Sequence, residues 1–159
     1  INNYLGVVIL TINYQQEFLS QVEGDIKPLL ERDWFEIEHS KSTRALDPDW
    51  EAYYRAENSD MLRIFTVRDE LKLVGYFVVL LIPSLHNKGL VQGVVDIIYL
   101  DKGYRKGFTG YKLFKFSEKC LKEDNIKVMH VTTTEVNPID PILDRLGYSK
   151  IETKFEKVL

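Results

Sequence analysis

Apolar residues recur along this chain at two different spacings, and the switches between them set the order of its elements. Tyr4 to Ile12 is β-branched and aromatic and predicts a first strand. From Gln15 to Glu38 the period lengthens. Phe18, Val22, Ile26, Leu29, Leu30, Trp34 and Ile37 return at three- and four-residue steps, the stripe of an amphipathic helix. Gly24 and Pro28 within that stripe predict two helices or one kinked helix, with Asp25 as a cap for the second part. Ser40 to Leu46 is a polar loop. Asp47-Pro-Asp-Trp then reads as a helix start, with Pro48 at the first position and a short helix to about Asn58.

The period then falls back to that of strands. Leu62–Arg68 and Lys72–Ile82 predict two strands joined by the tight polar turn Asp69-Glu-Leu. Pro83 to Gly89 is a loop, and Val91–Leu100 is a third strand of this group. An amphipathic segment runs from Thr109 to about Glu123. Lys127–Thr134 predicts another strand, Pro138–Leu146 a short helix closed by Gly147, and Tyr148–Val158 a last strand. The order β-α-α-β-β-β-α-β-α-β, without repeats or linkers, describes one mixed-sheet α/β domain over 1–159.

Composition narrows the classes. A chain of 159 residues with 45% apolar and 28% charged residues is expected to be one soluble globular domain. A net charge of −3 gives no global attraction for nucleic acid or an anionic membrane, so basic chemistry has to be local. One cysteine excludes an internal disulfide and agrees with a reducing, cytoplasmic setting. The longest apolar run, Val74 to Pro83, is too short to span a bilayer. The first residues lack the basic head and cleavage site of a signal peptide. The chain begins at Ile1 rather than Met, which leaves room for upstream sequence.

The local basic site is Leu100-Asp-Lys-Gly-Tyr-Arg-Lys-Gly-Phe-Thr-Gly110. It follows the strand Val91–Leu100 and opens the amphipathic segment at Thr109. Strand, basic glycine-bearing loop and helix start together aim unpaired backbone N–H groups and a partial positive charge at one place. The expected occupant is a phosphate or pyrophosphate, with Arg105 and Lys106 adding full charges. Asp96 interrupts the apolar run Val94–Leu100, where a carboxylate is costly unless it faces a cleft or finds partners. Two readings stay open for it: a general base, or a carboxylate that fixes loops by bonding backbone N–H groups. His86, in the loop after Pro83, either takes a proton from a substrate or bonds a loop carbonyl. His39 and His130 have less to recommend them. Lys112, Lys115, Lys119 and Lys122 read as a solvated helix face opposite Leu113, Phe116, Cys120 and Leu121. Cys120 belongs to that apolar stripe and is not an activated thiol. The three histidines are far apart and the cysteine is alone, so no metal set is expected.

The order of elements and the cradle together resemble the GNAT acyltransferase superfamily over nearly the whole chain. Its loop motif, Arg/Gln-x-x-Gly-x-Gly/Ala, falls here on Arg105, Phe108 and Gly110, so the middle glycine is absent and Gly107 lies one residue earlier. The wording is similar to small GNAT-like proteins of bacteriophages. The pieces are Pro28-Leu-Leu-Glu-Arg-Asp-Trp34, Leu46-Asp-Pro-Asp-Trp50, Leu73-Val-Gly-Tyr-Phe77, Leu85-His86, Tyr104-Arg-Lys-Gly107, Arg145-Leu-Gly-Tyr148 and Lys157-Val-Leu159.

The resemblance implies a mostly antiparallel mixed sheet with helices on both faces, and acetyl-CoA as acyl donor. Tyr99, Leu100, Arg105, Lys106, Gly107, Phe108, Thr109, Gly110 and Asn137 would meet the cofactor. It implies Leu100 as an N–H donor to the thioester carbonyl and gives Asp96 a precedent as base. Asn137 has a second reading as the cap of the helix after it. The family's usual acid, a tyrosine four residues before the Gly-Tyr pair at Gly147, is Leu143 here; Tyr148 reads as a packing residue. Trp34, Trp50, Tyr53 and Tyr54 come from helices that roof the acceptor site in this fold. Of these, Trp34 reads as core. Glu31, Glu36 and Glu38 leave an acidic fringe suited to a cationic amine.

The implied reaction is direct acetyl transfer to a primary amine, on a small molecule, a protein or an aminoacyl-tRNA, with net charge arguing against the last. The alternative is a non-catalytic GNAT-fold module of a phage particle or virus–host complex, with the cleft plugged by Phe108 or Tyr99. An enzyme would keep a continuous cleft from Leu100 to Asp96 and His86. The sequence sets no oligomeric state and leaves a homodimer open.

Overall fold

Among the described residues, strand β1 (Ile12–Glu17) forms one edge of a five-stranded sheet in the order β1-β2-β3-β4-β5. The protein is described by a computed structural model covering residues 11–37, 45–155 and 157. Strands β2 (Leu62–Asp69), β3 (Lys72–Pro83) and β4 (Val91–Leu100) follow as an antiparallel meander, and β5 (Val128–His130) lies parallel to β4. This is the mixed, mostly antiparallel sheet of a single α/β domain, as the resemblance implies.

Strand alternation gives the sheet two apolar faces, and each is covered by helices. Helix α1 (Leu19–Ile37) lays Leu19, Val22, Ile26, Leu29 and Leu30 on Ile64, Tyr76, Val78 and Tyr99, and α2 (Trp50–Asn58) adds Trp50, Tyr53 and Tyr54 at the margin. On the other face α3 (Thr109–Glu123) buries Leu113, Phe114 and Leu121 against Phe65, Phe77, Val79 and Val95. Helix α4 (Asp140–Leu146) packs beside it with Ile142, Leu143 and Leu146. Each fully buried Leu, Val or Phe contributes about 1.5–3 kcal/mol, so these two stripes dominate the fold's stability.

Several sequence expectations are corrected. The predicted strand Tyr4–Ile12 lies almost wholly outside the described residues. The observed first strand takes Gln15–Glu17 from the predicted helix, because these residues pair with Ile64–Thr66 on β2. Helix α1 is continuous rather than divided. Pro28 removes one backbone bond, but both Pro28 and Gly24, four residues earlier, are exposed, so water can satisfy the orphaned carbonyl. Asp25 does not cap. It accepts a hydrogen bond from Arg68 Nη1 at 2.9 Å, and Arg68 also bonds Glu17 and the Leu71 carbonyl. Helix α2 starts at Trp50 with Asp49 as its cap, at 2.8 Å from the Ala52 N–H, two positions later than the Pro48 start.

The predicted strand Lys127–Thr134 is reduced to Val128–His130, and the last helix starts at Asp140 rather than Pro138. Asn137 is not its cap. Thr133 Oγ1 accepts from the Ile139 N–H at 3.1 Å and donates to Asp140 at 2.9 Å, filling that role from six residues upstream. Gly147 closes the helix in the left-handed conformation at φ 83°, as expected. The predicted last strand is absent among the described residues after Tyr148, and Ile151 and Phe155 there are exposed.

Candidate functional site

Strand β4 carries the site because it is paired from end to end on one side, apart from Asp96, and only briefly on the other. Its pairing with β5 ends at Val94↔His130, leaving the edge from Val95 to Leu100 without a strand partner among the described residues. The Asp101 N–H bonds the Val74 carbonyl, so the alternating ladder turns the backbone groups of Tyr99 toward β3 and those of Ile98 and Leu100 toward the open edge. Gly75 makes this geometry possible: a Cβ there would stand 2.7 Å from Leu100 Cδ1 and 2.9 Å from the Tyr99 carbonyl oxygen.

Beyond β4 the chain makes one 3-10 turn (Lys102–Tyr104) and enters α3 at Thr109. The amides of Lys106 through Tyr111 find no backbone acceptor among the described residues; the first helical bond is from Lys112 N–H to the Phe108 carbonyl. Gly107, at φ 79°, supplies a left-handed turn that a side chain would strain. Unbonded amides in such a run at a helix start make a nest suited to an anion. A cleft of about 200 Å³ opens beside it, walled by Ile98 and Leu100 on one side and by Thr132, Thr134 and Asn137 on the other. Gly110 also lines it, and a Cβ there would make ordinary contact with Ile142 Cδ1 at 3.6 Å and Leu100 Cδ2 at 3.8 Å. Phe108 does not plug the cleft: it is 61% exposed and lies edge-on to Tyr111 at 6.4 Å. Tyr99 lines the wall without closing it. An open strand edge leading to an anion nest fits an extended ligand that ends in phosphates.

The charged residues of the loop are arranged differently from the sequence expectation. Lys106 is exposed. Arg105 lines the cleft but is already engaged: its Nε donates to the Leu100 carbonyl at 2.6 Å and its Nη2 to Glu36 at 2.7 Å, with the guanidinium over the Tyr99 ring at 5.4 Å. The Tyr99 hydroxyl donates to Asp101 at 3.1 Å, and burial followed by this bond pushes its pKa up. Thr109 offers its carbonyl to the Tyr14 hydroxyl at 3.3 Å, which ties the helix start to β1.

Asp96 occupies a β-bulge. Val79 pairs with Val95 and Val78 with Ile97, so Asp96 is the extra residue of β4. The bulge turns it toward α2, where the Tyr53 hydroxyl donates to its Oδ2 at 2.6 Å. Burial, then Asp96, pushes the Tyr53 pKa up, so the phenol stays protonated through the neutral range. Tyr76 lies on the same face, fully buried, its hydroxyl without a partner among the described residues. Asp96 therefore approaches β4 from the face opposite α3 and does not line the cleft.

His86 stands apart from both. It is exposed in the β3–β4 loop beyond the Pro83↔Val91 pair, about 16 Å of strand from Asp96. The predicted continuous cleft through Leu100, Asp96 and His86 is not formed. His130 lies on β5 with Nε2 2.7 Å from Gln92 Oε1, and His39 is outside the described residues. Leu143 packs in the core below the cleft, and Tyr148 lies edge-on to Phe114 at 6.3 Å as a packing residue. Of the tryptophans, Trp50 packs on the α1–α2 core, with the Lys27 ammonium 5.2 Å from its ring. Cys120 is half-buried and its thiol pKa is raised by burial. No local signal pairs Tyr53 with Asp96, and Ile98 joins the site through its backbone. Period-2 alternation counted back from Leu100 would have found Ile98. Among the described residues no cluster of His, Cys, Asp or Glu is placed to hold a metal, and no helix is long and apolar enough to cross a membrane.

No family model matches this sequence, and no curated protein matches it. Solved structures do. An aminoglycoside acetyltransferase from an uncultured soil metagenomic sample, in complex with sisomicin, aligns with a TM-score of 0.72 at 16% identity, covering 93% of this chain and 96% of that one. A predicted acetyltransferase with acetyl-CoA from Clostridium acetobutylicum gives 0.70 at 14%, covering 93% and 96%. Glucosamine-6-phosphate N-acetyltransferase from Arabidopsis thaliana gives 0.68 at 15%, covering 93% and 98%. At these identities the likeness establishes the fold: this chain has the α/β fold of the GNAT acetyltransferases.

Proposed function

We propose that this protein is an N-acetyltransferase that moves an acetyl group from acetyl-CoA to a primary amine. The observation that carries the reading is the open edge of β4 running into the unbonded amides of Lys106 to Tyr111. The structural neighbours support it: one was solved with acetyl-CoA, and others are named for acetylating amines of aminoglycosides and a sugar phosphate.

When bound, acetyl-CoA supplies the acyl group as a thioester. The amide nest, with Lys106, Thr109 and Gly110, would hold its phosphates. Leu100, Ile98 and Asn137, which line the cleft, would flank its arm. The outward N–H of Leu100 is placed to polarise a carbonyl at the edge of β4, a contribution worth about 3 kcal/mol in other acyl transferases. Asp96, held by Tyr53, would take the proton released by the attacking amine, which approaches from the α1–α2 face. His86 is too distant for that role, and with leucine at position 143 the thiolate would take its proton from solvent.

Calorimetric titration with acetyl-CoA tests the reading. Micromolar binding that is lost in Gly110→Trp is expected, because a large side chain there fills the cleft between Leu100 and Ile142. No binding by the intact protein would overturn it and favour the non-catalytic module instead.

A further inference from the structure

The last turn of α1 and the basic loop share one carboxylate. Glu36 Oε2 accepts from Arg105 Nη2 at 2.7 Å, and Glu36 Oε1 lies 3.6 Å from the Lys102 ammonium. The Tyr99 hydroxyl reaches the same Oε1 at 3.4 Å. Glu36 is well covered, its side chain 19% exposed, whereas Lys102 is 73% exposed. A sheltered carboxylate thus holds two cations of the loop that leads into the amide nest.

This contact is not needed to fasten α1 to the loop. Arg32 already does so one turn earlier, donating to both oxygens of Asp101 at 3.1 and 3.3 Å. What Glu36 does instead is neutralise Arg105, a residue that also lines the cleft. A phosphate at the nest and the Glu36 carboxylate are both anions seeking the same planar donors, and charge-assisted bonds to a guanidinium are among the strongest available to either. Exchange would also release Arg105 Nε from the Leu100 carbonyl, returning that acceptor to the open edge of β4.

We propose that Glu36 is a positioning residue that sets the loop's affinity for a diphosphate, by occupying Arg105 and Lys102 until the ligand takes them over. The proposal rests on the acetyl-CoA reading above. It concerns only the diphosphate portion, which provides its test.

Calorimetry would compare the native protein and Glu36→Gln with two probes, acetyl-CoA and S-acetylpantetheine, which lacks the diphosphate. Glutamine keeps the shape and the Tyr99 contact while removing the competing charge. The variant is expected to bind acetyl-CoA about tenfold more tightly, the size of one charge-assisted bond. Its affinity for S-acetylpantetheine should be unchanged. Arg32→Gln, which loosens α1 without touching Arg105, should leave acetyl-CoA affinity within about twofold. An acetyl-CoA affinity that does not rise in Glu36→Gln, an equal gain for both probes, or the same gain in Arg32→Gln would overturn the proposal while leaving the cofactor reading intact. Failure of both the native protein and Glu36→Gln to bind acetyl-CoA would overturn the two together.

Discussion

The Tyr53 hydroxyl donates to Asp96 at 2.6 Å, joining the second helix to the one residue of β4 that has no partner on β3. A bulge gives a strand one residue free of the ladder, and here that residue is the only carboxylate between Val91 and Leu100. Asp96→Asn keeps the shape and the hydrogen bond while removing the base. Acetyl transfer should fall about 10²- to 10⁴-fold with acetyl-CoA affinity unchanged, measured by thiol release and by calorimetry. Full activity in the variant would assign Asp96 to structure alone.

Tyr53→Phe tests the other half of the pair. It should reduce turnover about tenfold, the loss of one hydrogen bond to a charged group, without altering the affinity for acetyl-CoA. An unchanged turnover number would mean that Asp96 needs no orientation from α2.

Gly75 and Gly110 should respond in opposite ways to alanine. At Gly75 the new Cβ meets the Tyr99 carbonyl at 2.9 Å, and backbone cannot step aside, so a loss of about 1–3 kcal/mol is expected in chemical denaturation. At Gly110 the nearest contacts are 3.6 and 3.8 Å, and stability should stay within about 0.5 kcal/mol. Equal effects at the two sites would contradict the close β3–β4 approach.

Arg68 is 9% exposed and holds Glu17, Asp25 and the Leu71 carbonyl together. Arg68→Ala leaves the Glu17 carboxylate with only Thr66 as a partner among the described residues. About 3 kcal/mol of stability should be lost, with β1 the first element to exchange its amide protons. Protection of β1 equal to that of β3 in the variant would show that pairing with β2 alone holds the strand.

Alkaline pH should unfold the protein through its phenols. Burial raises the folded-state pKa of Tyr76 above its ordinary 10.0, with Asp33 adding to the effect, so the folded chain keeps a proton that the unfolded chain gives up. The stability this provides is complete below pH 10.0 and falls as pH rises above it, by about 1.4 kcal/mol per pH unit for each such group. Phenolate absorbance and loss of ellipticity should rise together above that point. Phenolate appearing well before unfolding would show that the buried tyrosines titrate in the folded state.

Much of this architecture was legible in the residues because its signals are local. The meander from Leu62 to Leu100 and helix Thr109–Glu123 follow from period and length. The run of unbonded amides at the start of α3 follows from a glycine loop between a strand and a helix, and the left-handed stop at Gly147 from glycine itself. The assignments that failed depended on partners far away in sequence. Gln15–Glu17 continues a helical stripe and becomes strand only because β2 offers free backbone groups. Asp25 resembles a cap but is claimed by Arg68, and Thr133 displaces Asn137 at the start of α4. Likewise the residue types around the site were visible, but not which of them meet. A bulge shifts every side chain after it to the opposite face, so only the paired register shows that Asp96 turns to Tyr53 and away from the cleft. Arg105 reads as a free cation in the sequence, and only the return of α1 across the sheet brings Glu36 to it.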